Sequence, residues 1–207
     1  MLRLAMAAVC AWMISACQIA NVATANAGRL SSPAPSGWQP GEKIETFNSP
    51  TYGNVTYRFG TTSNGLTYKI YGDGTATITA DASAISPDWR ITCKSDAMND
   101  KQDCDIESGR TSLLIDYKFS KTPQLVCIKG HDFPGRNAYI RIGKSTPIRT
   151  NEYGCLPASK IISSLLSSDS VSTRKVHWPY DYHVDETGPL RGLKEAVDLM
   201  AYIRPNS

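Results

Sequence analysis

The stretch His177-Trp178-Pro179-Tyr180-Asp181-Tyr182-His183-Val184-Asp185-Glu186 gathers two of the chain's three histidines, three carboxylates and three aromatic rings. Imidazoles and carboxylates at this density can ligate a divalent metal or exchange protons with a substrate. Trp and Tyr in such a connection more often pack on the body or meet a partner. The segment lacks the fixed i, i+4 helical pair that would present two ligands on one face. It is therefore read first as structural packing and second as a partner surface made by His177, Trp178, Tyr180, Asp181, Tyr182 and His183, with no metal and no cofactor expected. Hydrolytic chemistry would rest on Asp181, Asp185 and Glu186, the carboxylates nearest the aromatic rings. His131-Asp132, ahead of Pro134-Gly135-Arg136, is a smaller group whose expected role is a turn in which Asp132 bonds the backbone. A carboxylate pair drawn from distant segments, such as Asp116 with Glu152, would leave no local mark. The sequence contains no G-x-S-x-G, no H-E-x-x-H and no glycine-rich phosphate loop, and no catalytic residue is assigned.

Beyond residue 27 the cysteines are Cys93, Cys104, Cys127 and Cys155. They lack C-x-x-C spacing and follow an export leader, so they read as two disulfides in an oxidising compartment and not as a zinc site. Three pairings are open to four cysteines. Cys93 with Cys104 and Cys127 with Cys155 is the favoured one, because nested or crossed pairs would constrain the strand order more severely.

Residues 1–27 carry Arg3, the apolar run Leu4 to Ile14 and the small-residue ending Ala25-Asn26-Ala27. That run is too short to span a bilayer and fits a cleaved signal peptide. Ile14-Ser15-Ala16-Cys17 offers a second exit, resembling a lipobox with Cys17 as the lipidated residue, which would anchor the chain to a membrane without a spanning helix. Residues 28–54, rich in Pro, Ser and Gly, are expected to form a flexible arm. Residues 55–207 are expected to form a single β-rich domain. Strands are read at Val55 to Phe59, Leu66 to Tyr71, Ala76 to Ala80, Trp89 to Lys94, Leu113 to Phe119, Leu125 to Lys129, Ala138 to Ile142 and Val171 to Trp178, with a loop at Ser95 to Asp103. Gly72-Asp73-Gly74 carries a hairpin signal. Ser159 to Ser168 and Leu190 to Ile203 have helical periodicity, the second with Pro189 in its first turn. The fold class is mainly β: an antiparallel sandwich or barrel-like domain, disulfide-stapled, with two short C-terminal helices.

Asp88-Trp89-Arg90-Ile91-Thr92-Cys93, with the next cysteine eleven residues on, Tyr153-Gly154-Cys155 before a short helix, and Gly192-Leu193-Lys194-Glu195-Ala196-Val197 near the end resemble the invasion-associated locus B family of exported bacterial proteins. The resemblance covers about Trp89 to Met200. It implies a periplasmic or envelope-associated β-rich domain, linked in the family to entry into host cells and with no established catalytic activity. The hairpins before Trp89 and the lipobox lie outside it.

The chain's formal charge of +3 is small and evenly scattered, which argues against nucleic acid and against an anionic membrane surface as partners. The expected function is that of an exported, envelope-associated, non-enzymatic binding module whose partner is a protein or a cell-envelope component, with membrane contact only through a lipid anchor. An inhibitor of a periplasmic or host hydrolase, or a carboxylate-dependent hydrolase of an envelope polymer, are the alternatives. The oligomeric state is not legible.

Overall fold

Alternating apolar residues dictate most of the architecture. In Trp89 to Cys93 the residues Trp89, Ile91 and Cys93 are buried, and their neighbours Arg90 and Lys94 are exposed. That is the burial pattern of a strand lying with one face on a core. The computed structural model describes Trp38, residues 43–81 and residues 84–204. Its strands are β1 (Lys43–Ser49), β2 (Gly53–Thr61), β3 (Thr67–Tyr71), β4 (Thr75–Thr79), β5 (Trp89–Ser95), β6 (Gln102–Ser108), β7 (Leu113–Lys118), β8 (Leu125–Ile128), β9 (Tyr139–Ile142), β10 (Ile148–Arg149), β11 (Cys155–Pro157), β12 (Ser170–His177) and β13 (Tyr180–Pro189). The helices are α1 (Ile162–Leu166), preceded by a short 3-10 turn at Ala158–Lys160, and α2 (Leu193–Ile203).

Strands β1 to β8 follow one another as an antiparallel meander, and β11 adds to β8 at the far edge. A second sheet has the order β10-β9-β12-β13. The inner faces of both sheets meet α2 in one core, with Ile78, Ile91, Ile106 and Ile115 from the large sheet, Ile140 and Val171 from the small one, and Ala196 and Leu199 from the helix. The mainly β, sandwich-like class expected from the sequence is the class observed. Both disulfides join Cys93 to Cys104 and Cys127 to Cys155 across neighbouring strands, at Cα separations of 4.2 and 4.0 Å. Two such bonds point to an oxidising location outside the cytoplasm. Among the described residues no helix is long and apolar enough to cross a membrane.

Several elements differ from the sequence reading. Part of the expected arm is structured, since residues 43–54 form β1 and the start of β2. Trp38 is itself buried, its ring 5.0 Å from that of Tyr68. The expected leader, with Cys17, lies outside the described residues. The expected loop Ser95 to Asp103 shrinks to a turn closed by Asp96 N–H donating to Lys101 O, after which β6 begins. This strand was hidden because its outward residues Asp103, Asp105 and Glu107 are acidic, leaving little apolar signal. Helix α2 starts at Leu193 instead of Leu190, because Gly192 adopts φ +86° and Pro189 still belongs to β13.

Candidate functional site at the β12–β13 turn

The aromatic stretch is not the open loop its composition implied. His177 ends β12, Trp178 and Pro179 make the turn through a cis peptide bond, and Tyr180 opens β13. Strand β13 escaped the sequence reading because Tyr-Asp-Tyr-His-Val-Asp-Glu-Thr is polar or aromatic on both faces, so no period of two stands out. The strands pair from Ser170 with Pro189 to Val176 with His183, and the register then shifts to His177 with Tyr180.

The structure brings the two histidine-containing segments together. Strand β9 runs antiparallel to β12 with Tyr139 opposite Arg174, so the β8–β9 loop lands beside the β12–β13 turn. Buried His131 accepts the Val176 N–H at Nδ1, 3.2 Å away, and its Nε2 lies 3.2 Å from Arg136 O. A neutral ring protonated on Nε2 satisfies both contacts. Asp132 bonds the backbone, as expected, but it does so chiefly in the neighbouring hairpin. Its Oδ1 accepts the Trp178 N–H at 2.7 Å and lies 2.9 Å from His177 Nδ1. These contacts, the Trp178 N–H first and His177 after it, hold the Asp132 carboxyl below the usual range. Phe133 meets Trp178 edge-on at 5.3 Å between ring centroids, and Arg136 pairs with Asp181.

The aromatics on this support face solvent: Trp178 and Tyr180 are 56% exposed, Tyr182 is 60% exposed, and the two tyrosine rings lie 5.9 Å apart. Of the predicted partner residues, His177, Trp178 and Asp181 are fixed by the β8–β9 loop, while Tyr180 and Tyr182 rest on one another. Asp132, Phe133 and Arg136 belong to the same surface, and only strand pairing reveals it.

The three carboxylates assigned to hydrolysis are each held by a cation. Asp185 takes Nε and Nη2 of Arg174 at 2.6 Å each, and those bonds lower its pKa below the usual range. Burial pushes Glu186 up, but hydrogen bonds from Ser112 and Lys175 outweigh it and the net shift is downward. Asp181 pairs with Arg136 as above. Both Asp185 and Glu186 are thus shifted away from the raised pKa a general acid requires. Asp116 and Glu152 do not meet, because Asp116 lies beside the Leu125 end of β8 while Glu152 lies in the turn after residue 150, where Gly154 O accepts from Ile128 N–H at the other end of that strand. One Ser-x-x-Lys spacing, Ser172 to Lys175, falls on β12. There a separation of three residues sends the side chains to opposite faces, Ser172 against Thr187 and Lys175 against Ser112 and Glu186. Among the described residues no group of three or more His, Cys, Asp and Glu side chains converges as a metal site would require.

A raised carboxyl does occur on the large sheet. Asp105 sits opposite Asp116 and beside Thr92 on the outer face. Burial first, then Glu107, Asp103 and Asp116, push it up to about 6, against a weaker pull from Lys129. Neither the groove on the small sheet nor the shallow depression beside Lys118 and Gln124 is lined by this pair. Its consequence is for stability. With a folded pKa above the unfolded one, the folded chain binds the extra proton between about pH 4 and 6, so stability falls as pH rises through that window and stays low above it. Asp105→Asn should therefore raise stability at pH 7.5 by about 1 kcal/mol, after discounting for solvent screening, and change little at pH 3.5. Urea unfolding at the two pH values measures this, and a loss of stability at pH 7.5 would contradict it.

No protein-family model matches this chain, and no characterised protein or solved structure matches it either.

Proposed function

We propose that the protein is an exported, non-enzymatic binding module whose contact surface is the interlocked tip of the β8–β9 loop and the β12–β13 turn, and whose partner is a protein or cell-envelope component. The observation that carries this reading is the set of exposed Trp178, Tyr180 and Tyr182 on a turn whose backbone is held by His131 and Asp132 and whose Asp181 side chain pairs with Arg136. Large aromatic side chains exposed on a braced turn lose little conformational entropy on binding, which is why such residues dominate binding energy. The disulfides support export, and the resemblance of Asp88 to Cys93 and of Tyr153 to Cys155 to the invasion-associated locus B family supports a role at the bacterial envelope in contact with host cells.

The triple variant Trp178→Ala, Tyr180→Ala, Tyr182→Ala should lower partner recovery from an envelope fraction by at least about tenfold, since truncating a buried interface aromatic costs about 2 kcal/mol or more. Tyr52→Ala, Ile85→Ala and Met98→Ala, even more exposed but elsewhere, form the control and should leave recovery unchanged. Equal recovery by wild type and tip variant would refute the assignment of this surface.

A further inference from the structure

Strand register lays charged and aromatic side chains in rows across the outer face of the four-stranded sheet. One row runs Arg149, Tyr139, Arg174, Asp185, and the next holds Arg141, Ser172 and Thr187. Directly paired residues project to the same face. Tyr139, Arg141, Ser172, Arg174, Asp185 and Thr187 are among the residues that line a groove of about 360 Å³ there, and Arg149 flanks it as the strand partner of Tyr139. Nε and Nη2 of Arg174 are engaged by Asp185. Arg141 and Arg149 are exposed and differently placed. Arg141 donates through Nε to Ser145 O at 3.0 Å, and Arg149 donates through Nη2 to Asn137 Oδ1. Neither has a carboxylate partner among the described residues, so terminal guanidinium N–H groups remain available on both. The face sets three guanidinium groups against the single carboxylate of Asp185, within a chain whose total charge is only +3.

We propose that this groove binds an acidic polysaccharide chain. Arg141 and Arg149 would hold its carboxylate or sulfate groups through charge-assisted hydrogen bonds. The half-buried ring of Tyr139 would lie against a sugar face, and the paired hydroxyls of Ser172 and Thr187, 2.8 Å apart, would meet ring hydroxyls. A peptide is the poorer fit. Extended peptides add to a sheet edge through main-chain bonds, whereas this groove lies over β9, β12 and β13, and the backbones of β9 and β12 are paired on both sides. Its lining residues are polar or charged apart from Tyr139 and Pro147, which offers little to anchor an apolar side chain. The inference goes beyond the tip-binding function and does not depend on it, since the residues involved are different.

Equilibrium binding of the purified protein to beads carrying polygalacturonate, dextran sulfate or neutral dextran tests it, with the first two distinguishing carboxylate from sulfate. Binding to at least one polyanion, weakening with salt, and none to dextran is expected. Arg141→Gln with Arg149→Gln should weaken binding at least about tenfold. Lys101→Gln with Lys121→Gln, which removes the same charge from the turns of the other sheet, should stay within about twofold of wild type. The Trp178, Tyr180, Tyr182 variant should bind the beads as wild type does, so failure of the tip assignment and failure of this one are separable. No binding to either polyanion, an equal loss in the lysine variant, or tighter binding to poly-glutamate or a DNA duplex than to either polysaccharide would overturn the proposal. Near-ultraviolet circular dichroism identical to wild type confirms that the exposed arginine substitutions leave the fold intact.

Discussion

Gly192→Ala is expected to cost about 2–4 kcal/mol of folding stability, because two independent penalties fall on one atom. The residue has φ +86°, a left-handed conformation in which a Cβ costs about 1–2 kcal/mol. That Cβ would also lie 3.2 Å from Leu66 Cδ1, 3.2 Å from Trp89 Cδ1 and 3.3 Å from Ile78 Cγ2, inside the core. Trp89 has little room to yield. It is fully buried, and its Nε1–H donates to Arg191 O at 2.8 Å, one residue before the glycine. Gly65 supplies the control, with φ +74° and nothing within 4 Å of its Cβ position. Gly65→Ala should carry the conformational penalty alone, about 1–2 kcal/mol. Urea denaturation of both variants separates the two contributions. Equal losses would mean that the Trp89–Gly192 junction gives way freely and that α2 is not seated as described.

Replacing Cys127 and Cys155 together by serine should cost about 3.5 kcal/mol, the loop-closure value for their separation of 28 residues. The effect should also be local. Strand β11 has three residues, pairs with β8 alone and leads directly into the 3-10 turn and α1. Without the covalent link, its remaining ties include Ile128 N–H to Gly154 O and Ala158 N–H to Gln124 O, each at 2.9 Å. Amide exchange in residues 155–166 should then quicken more than in β5 to β7. Serine at Cys93 and Cys104 should cost about 3 kcal/mol for a separation of 11 residues, with little local loosening, because β5 and β6 are paired along seven positions inside the sheet. Uniform exchange in the first variant would contradict the local account.

Legibility from sequence followed the strength of the period-two pattern. Where one face is apolar and the other polar, as in Trp89 to Cys93 or Leu113 to Tyr117, the strand is written in the residues themselves. Strands β6 and β13 carry acid or mixed side chains outward, and β10 and β11 are too short to show a period, so these four surfaced only through their partners. Strand β1 is exposed along nearly its whole length, and no local apolar stripe marks it. The favoured cystine pairing needed only chain order, and both bonds close neighbouring strands of the large sheet.

The candidate site divides in the same way. Sequence alone determined that Trp178, Tyr180 and Tyr182 are concentrated with histidines and carboxylates, because they are neighbours in the chain. Sequence could also locate His131 and Asp132, but not their meeting with Val176 and Trp178 across 45 and 46 positions. That meeting follows from β9 pairing antiparallel with β12, a register fixed by burying Ile140, Ile142 and Val171 in the shared core. The arginine groove has the same origin: Arg141, Arg149 and Arg174 are isolated in the chain and come to share one face because the alternation of three strands points each of them away from that core.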